Sequence, residues 1–332
     1  MKKITALLFA LLMLAGVLAG CGKQKDTNKT DKLSIVTTIF PEYDWVREIL
    51  GDKADSAEIT MLLDNGVDLH SYQPTADDLI KISDCDLFVY VGGESDGWVD
   101  DALKNATNKN RKVINLLDVL GDSVKTEEVV EGMQETEHDH DHDHDEDEDH
   151  EHEEEKDEHV WLSLKNAEVL VNAISKSLQE LDPDNKDTYA ANADAYVQKL
   201  SALDAEYQKA VSAGTYKTLL FGDRFPFRYL VDDYGLSYYA AFVGCSAESE
   251  ASFETVSFLA RKVDEGKLPC VLTIEGKNHK IAETIVQNTA GKNQKILTMD
   301  SMQSTTSQDV ANGTTYLSLM AKNLDVLKEA LG

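Results

Sequence analysis

From Pro183 to Ala213 the chain carries apolar residues at Tyr189, Ala193, Tyr196, Leu200, Leu203, Tyr207 and Val211, spaced by three and four, with no glycine or proline after the start. That period is one face of an α-helix. The run predicts a single helix of roughly 25 residues, about 38 Å long at 1.5 Å per residue. Such length in an α/β chain suits a rigid connector better than an ordinary crossover. The segments on either side have the same pattern. Before it, "KLSIVTT" near 32–38, "AEITML" near 57–62, "DLFVYVG" near 86–92 and "KVINL" near 112–116 read as strands. They alternate with helical stretches such as "PEYDWVREIL" and "TADDLIKIS", the latter opened by Thr75 with Asp78 three residues on, close to a capping box. After it, "KTLLF" at 217–221, "LSYYAAF" at 236–242, "CVLTI" at 270–274 and "KILTM" at 295–299 alternate with amphipathic segments near 226–234, 252–265, 278–289 and 310–331. This βαβα order implies parallel sheets. The expected fold is α/β: two parallel-sheet lobes, 32–182 and 215–332, joined by a long rigid helix over 183–214, with a cleft between the lobes.

The N-terminus reads "MKKITALLFALLMLAGVLAG", two lysines and an apolar run too short for a comfortable membrane span, ending in small residues. Residues 1–20 are expected to be an export signal. Leu18-Ala19-Gly20-Cys21 resembles a bacterial lipobox, in which Cys21 is acylated, and the polar residues up to 31 form a lipid-anchored stalk. The expected location is extracytoplasmic, tethered to the bacterial cell membrane through the N-terminal lipid.

The net charge of −29 argues against nucleic acid as a partner. Nearly half of it lies between Glu137 and Glu158, where fifteen acids face one lysine. Beyond Cys21 the cysteines are Cys85, Cys245 and Cys270; an odd number without CxxC spacing argues against a disulfide framework and against a thiolate zinc site. Cys85 and Cys270 adjoin strand-like runs and read as small core residues.

Ligands in open α/β sheets gather beyond the carboxyl ends of the strands, so the residues just past each strand are the candidates. His70 comes after the second strand, "GDRFPF" with Asp223 after the fifth, Glu275 after the seventh and Asp300 after the eighth. His159 closes the acidic segment just before "VWLSLKNAEVL". Imidazoles and carboxylates from both lobes would make a mixed nitrogen and oxygen set, suited to Zn²⁺ or Mn²⁺. Each has a plainer role open to it: a solvated loop histidine, a helix cap at Asp300, a surface charge at Glu275.

Six motifs in order, "GVDLHSYQPTADDLIKISDCDLFVYVG", "EHVWLSLKNA", "YLVDDYGL", "GCSAESEAS", "KIAETIVQNTAG" and "KILTMDSM", span nearly all of the chain after the leader. Together they resemble the solute-binding lipoproteins of zinc and manganese ABC importers, the ZnuA-like or cluster A-I family. The resemblance implies two α/β lobes bridged by a rigid helix, one metal ion between them, an ABC permease with its ATPase as partners, and a monomer that is not an enzyme. Its ligands fall on His70, His159 and Asp300. Its third ligand falls on Arg224, whose guanidinium has no lone pair to offer a cation. Asp223 or Glu275 could supply that oxygen, or water could, with Arg224 pairing a carboxylate behind the ligands. His279 is expected on a helix surface.

The segment 138–152 alternates histidine and acid with nothing apolar to pack, so a disordered loop is expected over 134–158. His138, His140, His142, His144, His150 and His152 would bind metal loosely and feed the buried site, and they favour zinc over manganese. The alternatives are a solubilising insertion, a manganese-binding protein of the same family, a surface metal-storage or adhesion lipoprotein, and a secreted metallohydrolase. The last lacks HExxH or any compact hydrolase motif.

Overall fold

The computed structural model describes residues 32–104, 106–134, 155–246, 250–276 and 278–332. The leader, Cys21, the stalk and the six histidines between His138 and His152 lie outside the described residues. Residues 33–332 form one compact unit.

Its first half builds a sheet from β1 (Ser34–Thr37), β2 (Glu58–Met61), β3 (Leu87–Tyr90) and β4 (Lys112–Asn115), ordered β2-β1-β3-β4 and parallel throughout. The second half repeats the plan with β5 (Thr218–Phe225), β6 (Ser237–Val243), β7 (Cys270–Ile274) and β8 (Lys295–Met299), ordered β6-β5-β7-β8 and again parallel. In each sheet the chain lays the second strand on one side of the first and the third on the other. That reversal opens a crevice at the carboxyl ends. The strands match the apolar runs closely, except that β5 continues through Gly222, Asp223 and Arg224 with a register shift between Phe221 and Arg224. This extension carries Arg224 toward the other lobe.

The helices of the first lobe are α1 (Phe40–Leu50), α2 (Ala76–Asp84), α3 (Val99–Lys104), α4 (Leu116–Leu120) and α5 (Leu164–Leu181). The connector α6 (Lys186–Ala213) has 28 residues. It buries Tyr189, Ala193, Tyr196, Leu200, Tyr207 and Val211 on one stripe, as the spacing of three and four requires. Its two ends are fixed to different lobes. Asn192 donates to the carbonyl of Ile49 at the end of α1 (3.0 Å), while the Tyr207 hydroxyl donates to the carbonyl of Met320 (2.6 Å) in α11 (Tyr316–Leu331).

The second lobe adds α7 (Arg228–Tyr234), α8 (Phe253–Gly266), α9 (Lys280–Asn288) and α10 (Ser307–Ala311). The amphipathic segment expected near 310–331 is the single helix α11, which starts at Tyr316, with the short α10 ahead of it. Gly313 takes φ +96°, open to glycine at little cost, and Thr315 caps the new helix by accepting from the Ser318 amide. Among the described residues no helix is long and apolar enough to cross a membrane.

Candidate metal centre

His70 sits beyond β2 in a short 3-10 turn, Leu69–Ser71, whose preceding residue Asp68 accepts from the His70 amide at 3.0 Å. His159 immediately precedes a second such turn, Val160–Leu162, and is fully buried. The two acids just before it, Asp157 and Glu158, are not solvated, which corrects the expectation of a disordered loop as far as 158. Residues 155–158 are placed: Lys156 bridges Thr126, Asp157 N donates to the Lys125 carbonyl at 2.8 Å, and Asp157 and Glu158 are buried. At the other border Gln134 N donates to Ala241 O at 2.9 Å.

These two acids orient the imidazoles. Asp157 Oδ1 accepts from the His159 amide at 2.9 Å and faces His159 Nδ1 at 3.0 Å. His70 Nδ1 lies 2.8 Å from Ser95 Oγ and 3.4 Å from Glu158 Oε2. A carboxylate can only accept, so Asp157 holds the His159 ring proton on Nδ1 and leaves its Nε2 with the lone pair; the charge of Glu158 beside His70 Nδ1 favours the same tautomer there, with Ser95 Oγ placed to accept the proton. The two Nε2 atoms then face each other at 3.2 Å. Two acceptors at that distance lack a donor, and a cation is what they fit. With metal–nitrogen bonds of about 2.0–2.1 Å, the separation corresponds to an angle of roughly 100° at a shared ion, near the tetrahedral value zinc prefers. Burial opposes the charged form of Glu158, but hydrogen bonds from His70 and Ser95 outweigh it and hold the acid below its ordinary range.

A third donor completes a compact group that the sequence did not suggest. Nitrogen atoms of His70 and His159 and the sulfur of Cys245 all lie within 4.8 Å of one another. Cys245 stands two residues beyond β6, where the rule applied to the other strands would have found it. Counting cysteines looks for pairs, whereas a mixed nitrogen–sulfur site needs only one thiol. Burial, and after it Glu127, Glu158 and Asp157, push this thiol well above its ordinary range. Cys85 and Cys270 are buried core residues.

The other candidates stand outside that group. Asp300 Oδ1 accepts from Met302 N at 2.8 Å, and burial followed by the charge of Glu275 raises its pKa to about 6. Both oxygens of Glu275 are engaged: Ser301 N reaches Oε2 at 2.6 Å, and Ser301 Oγ and Gln303 N reach Oε1 at 2.7 and 3.2 Å. Asp223 accepts from Arg224 N at 3.0 Å and from Ile274 N at 3.3 Å. Glu275 and Asp223 therefore fasten the loop carrying Asp300 and the end of β7. Arg224 pairs with Asp68 across the cleft. His279, expected on a helix surface, is half-buried just before α9, and among the described residues its Nδ1 has no partner.

The chain has relatives among known proteins. Residues 35–330 match the family described as ZnuA, zinc-uptake complex component A periplasmic. The zinc-binding lipoprotein AdcA of Streptococcus pneumoniae (TIGR4) is 35% identical over 329 residues, 99% of this chain, and the chain spans 61% of that protein's length. The high-affinity zinc uptake system protein ZnuA of Bacillus subtilis is 31% identical over 328 residues, covering 98% of this chain and 97% of that protein. Among solved structures, the Zn(II)-bound ZnuA-like domain of S. pneumoniae AdcA superposes with TM-score 0.68 at 31% identity, over 90% of this chain and 99% of that one. The metal-dependent lipoprotein YcdH of B. subtilis gives TM-score 0.70 at 26% identity, covering 90% of this chain and 99% of that chain.

Proposed function

Given that the chain belongs to the ZnuA family of zinc-uptake components, we propose that it captures zinc outside the cytoplasmic membrane and delivers it to an ABC permease driven by its ATPase. The observation that carries this reading is the pair of Nε2 atoms 3.2 Å apart, each ring oriented from behind by a carboxylate. Zinc is the substrate and is not chemically changed, so the chain works by holding and release and is not an enzyme. Two neutral imidazoles favour zinc over manganese, which prefers oxygen donors.

In this reading His70 and His159 take the ion first, and Asp300 approaches from the second lobe as an oxygen donor. A positive charge beside Asp300 would relieve what burial and Glu275 impose on it. Arg224, paired with Asp68, holds the two lobes' rims together. The histidines of 138–152 gather zinc loosely, and Cys21 carries the lipid that keeps the protein at the membrane. Uptake of radiolabelled zinc by zinc-starved cells lacking the protein tests the proposal. The native chain restores uptake and His70→Ala does not; full uptake with His70→Ala contradicts it.

A further inference from the structure

We infer that Cys245 Sγ is the third ligand of the transported ion, making the centre a nitrogen–sulfur site; this rests on the zinc-binding reading above. The turn that carries it is built for the purpose. Gly244 lies so close to the ring of His159 that a Cβ there would stand 2.9 Å from Cε1 and 3.0 Å from Nδ1. Only a glycine lets the backbone approach that near, and it delivers the next side chain to the histidine pair. The turn is held from three directions. Cys245 N donates to Glu127 Oε1 at 2.9 Å, Ser246 N to Val243 O at 3.3 Å, and Arg224 Nη1 to Ser246 O at 3.5 Å. Arg224 cannot ligate, yet it braces the residue next to the one that can.

The dimensions fit. A tetrahedral zinc with nitrogen bonds near 2.0–2.1 Å and a sulfur bond near 2.3 Å needs about 3.6 Å between nitrogen and sulfur. The sulfur already stands within 4.8 Å of both imidazoles, so a small side-chain adjustment closes the site. As the zinc–sulfur bond forms, the S–H bond breaks and its proton leaves to solvent, so the ligand is a thiolate. Two neutral imidazoles and one thiolate leave a divalent ion with a single positive charge, which the Asp300 carboxylate proposed above balances, with the buried Asp157 and Glu158 behind the imidazoles. Thiolate also sharpens selection: it favours zinc and disfavours manganese.

Zinc X-ray absorption on the one-to-one zinc form tests this, using the chain from Gly22, which retains the whole compact unit from Leu33. The expected result is a sulfur scatterer at about 2.3 Å in the native protein. Cys245→Ser removes it and lowers zinc affinity by at least about tenfold, with manganese affinity little changed. A native shell of nitrogen and oxygen alone overturns the assignment of Cys245 and leaves the histidine-based reading standing. Absence of any tight zinc in the native chain, by contrast, defeats both.

Discussion

At the scale of single residues, chemistry is decided behind the ligands as much as at them. Asp157 fixes the tautomer and direction of His159 from a buried position. Asp157→Ala should weaken zinc binding by about 10–100-fold while His159 remains in place; chelator competition measures it, and unchanged affinity would refute the orienting role. A different group of buried acids should make the stability depend on pH. Burial, then the charge of Asp96, lifts Glu42 to about 8, and burial lifts Asp44 and Asp96 to about 7. Each is protonated more readily folded than unfolded, so between about pH 4.5 and 8 the folded state holds extra protons and stability falls as pH rises. At about 1.4 kcal/mol per pKa unit, Glu42 contributes on the order of a few kcal/mol to that decline. Glu42→Gln keeps an acceptor for the amides of Thr38 and Ile39 and should flatten the slope. Denaturation across that pH range showing the native slope in the variant would exclude Glu42 as its source.

At the scale of elements, α6 is the part on which both lobes depend. Leu200 is fully buried at its middle, with Asn192 and Tyr207 fastening its ends to opposite lobes. Leu200→Ala should cost about 2–5 kcal/mol and lower the urea midpoint in one transition shared by both lobes. Separate transitions in the native chain would show that the helix does not couple them. This helix was legible because periodicity over many residues cannot be accidental, and the strands were legible because parallel strands are continuous apolar runs bounded by polar turns. The start of the last helix was less closely read: Asn312-Gly313-Thr314-Thr315 interrupts the apolar pattern and Thr315 caps the helix, so it begins at Tyr316.

For the whole molecule, the lobes meet around the histidine segment. Trp161 Nε1 donates to Ser301 O at 2.9 Å, the Tyr316 hydroxyl to Trp161 O at 2.6 Å, and the Tyr229 hydroxyl to Asp157 O at 2.7 Å. His159 is thus held by a segment that both lobes grip. His70 was legible from its place just past a strand, and His159 from its place at the end of the acidic run; the structure brings the two together. Asp157 and Glu158 were not legible, because they are hidden in an acid run whose composition signals solvation although its last residues fold into the interior. Cys245 lay within reach of the strand-end rule, but counting cysteines in pairs passed it over. In the proposed reading the tight site is this buried histidine pair rather than the histidine-rich segment. Titration of the chain from Gly22, with and without residues 138–152, against Zn²⁺ and Mn²⁺ under chelator competition decides between them. One tight zinc site should survive the deletion and vanish with His70→Ala; loss of all tight binding on deletion would assign the chemistry to the charged segment instead.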